Sequence, residues 1–203
     1  MSKKLGLLLL GMFLGGIVGT SYFLTNQLES DSIESGRKLQ QSRPIRNFNL
    51  VDQDNKPFTK EDLLGKWTMI TFGFTNCPDV CPTAMASYRD ELKLLEDTMS
   101  RLQFVFVTVD PERDSPEVLK NYLSYFHPSI IGLSGKLASI KSFAAMFSVH
   151  FQKQGDGEAY NMAHSPQFFL VNPKGEWTAM YSPPVGRGKI AVDLTRISKR
   201  NTL

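Results

Sequence analysis

A buried strand, a turn carrying the chain's only two cysteines and an amphipathic helix follow one another between Trp67 and Met99. Trp67-Thr68-Met69-Ile70-Thr71-Phe72 is largely apolar and β-branched, as a strand covered on both faces requires. Beyond the turn, Met85, Tyr88, Leu92, Leu95 and Met99 recur at spacings of 3, 4, 3 and 4, which is one face of a helix. A strand that feeds a helix in this way points the chain to an α/β architecture.

The turn itself reads Phe74-Thr75-Asn76-Cys77-Pro78-Asp79-Val80-Cys81-Pro82. Proline lacks an N–H and fits the first turn of a helix but not its interior. The helix is therefore expected to start at Pro82, with Cys81 as its cap and Cys77 on the loop before it. Thiolates there are stabilised by exposed N–H groups and the positive end of the helix dipole. A lowered pKa supplies both a nucleophile and a soft metal ligand. Three intervening residues also let the α-carbons approach to the roughly 4.4–6.8 Å that a disulfide needs. Two readings stay open on the residues alone: a static disulfide stapling a turn, and a working pair. The loop position and the flanking prolines favour the working pair.

From Pro44 onward strands and helices alternate. Residues 48–50 and 56–58 flank a turn-forming Asp52-Gln53-Asp54-Asn55 and read as a small hairpin. Residues 102–109 form a second strand, and Ser115-Pro116 starts a helix through Leu119, Tyr122, Leu123 and Phe126. A short strand at 130–133 precedes a helix marked by Leu137, Ile140, Ala144 and Phe147. A hairpin, 168–171 and 176–181, and a helix through Ile190, Leu194 and Ile197 close the chain. This order is that of a thioredoxin-like sheet with helices on both faces.

Residues 5–28 carry no charge, and the first twenty are dominated by Leu, Gly, Phe, Ile and Val. About 20 apolar residues suffice to span a bilayer core. Lys3 and Lys4 precede the run, and Glu29 and Asp31 follow it, so residues 1–4 are expected in the cytoplasm and the rest outside it. A cleaved signal peptide is the rival, with Gly15, Gly16 and Gly19 as its small residues. The apolar run continues through Tyr22, Phe23 and Leu24, which favours an uncleaved single-pass anchor. Residues 29–43 are polar without an apolar period and read as a flexible tether to one domain, 44–203. With no Arg/Ser-rich presequence, the expected setting is a bacterial inner membrane with the soluble domain in the periplasm. The net charge of +3 comes without long basic blocks beyond the tail Arg196, Lys199 and Arg200, so nucleic acid is not an expected partner.

Exported thiols are disulfide-permitted or protected by a task. Thiolates select soft metals, above all Cu(I). Structural zinc wants four ligands, and beside two cysteines the chain has only His127, His150 and His164. Iron–sulfur clusters usually take four thiolates. Two sulfurs and one imidazole would make a three-coordinate copper site. His164 lies just before a buried strand and, in a thioredoxin-like layout, faces the thiol loop; a loop histidine also serves as a solvated or capping residue. His127, before Pro128 at a helix end, and His150, in the alternating Ser148-Val149-His150-Phe151, read as structural.

At these residues the chain resembles the Sco/SenC family, copper metallochaperones for the binuclear copper site of cytochrome c oxidase. The thiol turn looks like that family's copper-binding loop. Val109-Asp110-Pro111-Glu112-Arg113-Asp114 is similar to its Asp-Pro-x-x-Asp segment, and Ile131-Gly132-Leu133-Ser134-Gly135 to its Gly-Leu-Ser-Gly turn. His164 falls where the family carries its distant histidine ligand.

The resemblance implies copper held by Cys77, Cys81 and His164, with the pair reduced before loading. The implied partners are the copper-site subunit of cytochrome c oxidase, the inner membrane and a thiol reductase. Two residues depart from the pattern. Ala163 stands where the family commonly has Asp, and Pro166 in Ser165-Pro166-Gln167-Phe168 looks like the thioredoxin proline that faces the active thiols. Pro166 tilts the expectation toward disulfide exchange, so an exported thiol–disulfide oxidoreductase, with Cys77 and Cys81 as the redox-active pair, is the alternative. A membrane-tethered copper sensor ranks last. Asp114 is expected to cap its loop, and Asp110 to offer an acidic surface near the site.

Overall fold

A computed structural model describes residues 33–77, 80–95, 102–157, 160–183 and 185–200, together with Gly16 and Thr20; side chains at 80–84, 87 and 198–200 lie outside this description. The chain divides into two units, Met1–Ile33 and Glu34–Leu203. In the first, Gly16 and Thr20 are helical, and the Thr20 hydroxyl donates to the Gly16 carbonyl at 2.5 Å. No helix among the described residues is long and apolar enough to cross a membrane. The expected span 5–28 lies outside them apart from these two positions.

The second unit is built on an eight-stranded sheet in the order β1-β10-β9-β4-β5-β6-β2-β3. The strands are β1 Arg37–Pro44, β2 Asn49–Asp52, β3 Pro57–Thr59, β4 Trp67–Gly73, β5 Leu102–Thr108 and β6 Ile130–Ser134, then β9 Phe168–Val171 and β10 Glu176–Tyr181. Strands β7 (Gln152–Gln154) and β8 (Asn161–Ala163) form a separate two-stranded sheet. The helices are α1 Val80–Leu94, α2 Pro116–Ser124, α3 Leu137–Met146 and α4 Lys189–Arg200.

β4, β5 and β6 are parallel, in register Trp67↔Leu102 through Gly73↔Thr108 and Phe104↔Ile130 through Val107↔Leu133. All seven residues of β4 and of β5 are buried, because helices cover both faces. Ile70, Phe72, Val105 and Val107 belong to one core with Phe143 of α3 and Phe147 at its C-terminal cap. On the other face, Tyr88 of α1 meets Phe104 edge-on at 5.2 Å and stacks on Phe168 at 4.8 Å, while Phe106 meets Tyr122 of α2. The expected α/β, thioredoxin-like sheet with helices on both faces is what forms.

Gly132 explains itself by contact. A Cβ there would lie 2.6 Å from Leu123 Cδ1 and 3.3 Å from the Leu119 Cβ, so its absence lets α2 lie close on β6. Buried Glu91 of α1 accepts from the N–H groups of Gly188 and Ala191 at 2.6 and 2.7 Å, fixing the start of α4 on α1.

Two expectations about boundaries are corrected. Residues 37–43, placed in the tether, form with Pro44 the edge strand β1 on β10, from Arg37↔Met180 to Pro44↔Glu176. Nearly all β1 side chains are exposed, so no apolar period marks it; besides its main-chain pairing, Leu39 packs on the core and the Arg43 guanidinium lies 5.3 Å from the Trp177 ring centroid. Glu34 and Ser35 are tied as well, their N–H groups donating to buried Asp193 at 3.0 and 3.1 Å. The second correction is that α1 begins at Val80 and not at Pro82, which puts Cys81 in the first turn instead of at the cap. Pro82 stays within the first turn, where a missing N–H costs nothing.

Candidate metal and thiol site

The carboxyl ends of parallel strands, with their loops, are where open α/β sheets place sites. Cys77 lies beyond the end of β4, and Asp110 to Asp114 lie beyond the end of β5. β9 runs antiparallel to β4, with Thr71 opposite Phe168, so residues before Phe168 return to the same sheet end. The Thr71 hydroxyl donates to the Gln167 carbonyl at 3.1 Å and holds that register. Continued past the last pair, it carries His164 toward Phe74 and Thr75. The His164 ring does meet the Phe74 ring edge-on, with centroids 5.8 Å apart. Phe74 is three residues before Cys77, whose N–H donates to the Phe74 carbonyl at 3.4 Å.

Cys77 is half-buried and packs against the core. Cys81 lies in the first turn of α1, a position where exposed N–H groups favour a thiolate; its side chain lies outside the described residues. Among the described residues no three His, Cys, Asp or Glu side chains cluster as a metal site. His164 is half-buried, with Nδ1 3.4 Å from the Ser165 carbonyl. Burial lowers its pKa below the ordinary imidazole value, which favours the neutral, ligating form. It lines an open hollow with His150, Phe151 and Ser165. His150 is exposed in that hollow, on the same side of the alternation as exposed Ser148. His127 is structural, its Nδ1 accepting from the Ser129 N–H at 3.3 Å.

The turn between β5 and α2 does more than sequence reasoning assigned to it. Asp114 is fully buried. Its carboxylate accepts from the Thr75 N–H at 3.1 Å, the Thr75 hydroxyl at 2.5 Å and the Thr108 hydroxyl at 2.6 Å. It therefore anchors the thiol loop, while Ser115 takes the capping duty by accepting from the Val118 N–H. Burial nonetheless raises its pKa above the ordinary 3.8, against the pull of these donors.

Asp110 is also buried and offers no acidic surface. One oxygen accepts from Arg113 Nε at 2.5 Å and the other from the Tyr160 hydroxyl at 2.7 Å. Desolvation, then the bond to Asp110, pushes Tyr160 up to about 12. Arg113 Nη1 donates to the Tyr160 carbonyl at 3.1 Å, and its guanidinium lies 3.6 Å from the Tyr160 ring centroid. Thr75, Thr108, Arg113 and Tyr160 were not singled out by sequence reasoning. Arg113 sits inside a quoted motif, but its partner is 47 residues away and local spacing carries no sign of it.

A family model described as SCO1/SenC matches residues 36–199. The mitochondrial protein SCO1 of Saccharomyces cerevisiae is 43% identical over 138 residues, covering 64% of this chain and 45% of that protein. The chain thus spans under half the length of the yeast relatives it matches. Yeast Sco1 with copper bound superposes with a TM-score of 0.71 at 35% identity, over 77% of this chain and 89% of that one. BsSco, described as a member of the Sco family of cytochrome c oxidase assembly proteins with a disulfide switch, gives 0.65 at 27% identity, over 78% and 95%. By the family match over most of its length and by the fold it shares with these proteins, the chain belongs to the SCO1/SenC family.

Proposed function

We propose that this chain is a copper carrier that holds the ion by the Cys77 and Cys81 thiolates and the His164 imidazole. It delivers that ion to the copper-site subunit of cytochrome c oxidase. One observation carries the reading: the β4–β9 register returns His164 to the thiol loop, where its ring packs on Phe74. Two soft sulfurs and a neutral imidazole suit Cu(I) better than harder ions. Residues 5–28 anchor the chain in a bacterial inner membrane, and the copper domain faces the periplasm. Titration of the reduced full chain in detergent against a competing Cu(I) chelator tests the reading. One tightly held ion per chain, weakened by His164→Ala, supports it; unchanged affinity in that variant removes the histidine from the site.

A second reading is favoured by Pro166, which lies in the loop that Thr71 holds at the same sheet end, beside Gln167. In it, one thiolate attacks a partner disulfide and expels one partner thiolate. The second cysteine then displaces the other, leaving a Cys77–Cys81 disulfide and a reduced partner pair, with two electrons transferred. An exported thiol reductase would restore the dithiol. Stoichiometric reduction of a partner disulfide by the dithiol form, lost in Cys77→Ser, is the expected result. Absence of exchange excludes the second reading and leaves the carrier intact.

A further inference from the structure

We infer that Arg113 is a positioning residue that holds the His164-bearing hairpin in register with the thiol loop. This inference rests on the copper reading above. Strands β7 and β8 are not hydrogen-bonded into the main sheet. All three residues of β7 are exposed, and of β8 only Met162 is buried, so apolar packing holds this hairpin at few points. Met162 and, just before β8, Tyr160 are its buried anchors, and the turn after β5 adds polar bonds at Tyr160. Arg113 donates to Asp110 and to the Tyr160 carbonyl, and its guanidinium covers the Tyr160 ring. Tyr160 in turn donates to Asp110, and Lys153 of β7 lies 3.7 Å from Glu112.

Tyr160 is the residue before β8, and His164 is the residue after it. Fixing one end of so short a strand fixes the other. The same guanidinium lies 5.8 Å from the Phe74 ring centroid, and that ring also receives His164. Asp114, one residue on, holds Thr75 of the thiol loop. A single turn therefore sets the position of both halves of the site. A planar, forked cation is what this geometry needs, since lysine offers neither two aligned donors nor a flat face for the ring.

The test uses the full chain in detergent and four variants. Arg113→Met alone would leave the buried Asp110 carboxylate without its cation. The double variant Asp110→Asn/Arg113→Met removes both charges and keeps the packing volume. Arg113→Lys is the conservative control. Hydrogen exchange of residues 161–163 is read on the metal-free chain, and Cu(I) affinity and X-ray absorption on the loaded one.

The expected result is protection of residues 161–163 falling on the order of tenfold in the double variant, with β4 and β5 unchanged. Its copper complex loses the imidazole contribution and falls to the affinity of His164→Ala. Adding His164→Ala causes no further loss, and Arg113→Lys recovers part of the protection. Unchanged hairpin protection, or losses that add to those of His164→Ala, overturns the inference. If wild-type affinity already equals that of His164→Ala, the copper reading fails instead, and the exchange measurement alone decides what Arg113 holds.

Discussion

Asp114 and Thr75, 39 residues apart, are joined twice: one carboxylate oxygen accepts the threonine hydroxyl and the other its main-chain N–H. The thiol loop is thereby tied to the turn after β5 two residues before Cys77. The carboxylate has no exposure to solvent, so water cannot replace either bond. Asp114→Ala should cost roughly 2–3 kcal/mol of unfolding free energy, since it leaves buried donors unmet. Urea unfolding checks this; a change within about 0.5 kcal/mol, the range of ordinary surface substitutions, would contradict it.

The same residue gives a pH dependence with a definite sign. Its pKa is raised in the folded chain above the ordinary 3.8, so the folded state takes up the proton first on acidification. Its contribution is thus most favourable below pH 3.8 and is lost as pH rises through the raised folded value. Asp114→Asn, which cannot ionise, should gain stability relative to the wild type across that rise. Unfolding curves measured at stepped pH check it, and a difference that stays constant with pH counts against it.

Tyr160 should ionise late. With its pKa at about 12, the folded chain keeps this phenol neutral while the unfolded chain ionises near 10. Stability is therefore lost as pH climbs between those values. Tyr160→Phe should remove part of that alkaline loss and cost about 1–2 kcal/mol at neutral pH, because Asp110 loses a donor. The difference in tyrosinate absorbance between the wild type and Tyr160→Phe isolates this ionisation among the chain's six tyrosines. Wild-type and variant curves of equal alkaline slope would be the contrary outcome.

Gly132→Ala should destabilise by about 1–3 kcal/mol, through the overlap of the new methyl with Leu123 and Leu119. The clash lies between β6 and α2, so copper stoichiometry should not change. Thermal unfolding paired with copper titration separates the two effects. A variant as stable as the wild type would show that α2 shifts freely, contrary to this packing.

The sheet was legible in the sequence wherever burial imposes a period. Trp67 to Phe72 and the residues around Phe104 could not be anything but covered strands, and the turn at Asn172 to Gly175 announces its hairpin, with Gly175 at φ 73°. Strand β1 was not legible, because an edge strand held by main-chain bonds leaves its side chains free to be polar. The β7–β8 hairpin was missed for a similar reason, being mostly exposed and held by few residues.

At the site, residue type and position single out Cys77 and His164 as candidates, and the fold brings the His164 ring to Phe74, three residues before Cys77. Asp110 was misread as surface, because its partner Tyr160, 50 residues on, meets it only in three dimensions. Asp114 was misassigned in the same way, since Thr75 lies far back along the chain.

The atoms that hold the metal decide whether this chain carries copper by two thiolates and one imidazole. X-ray absorption at the copper edge, on the reduced full chain loaded with one equivalent of Cu(I), reads those atoms directly. The wild type should show two sulfurs and one imidazole nitrogen, with a sulfur lost in Cys77→Ser or Cys81→Ser and the imidazole lost in His164→Ala. A wild-type spectrum of sulfur alone, or an imidazole signal that survives in His164→Ala, would contradict it.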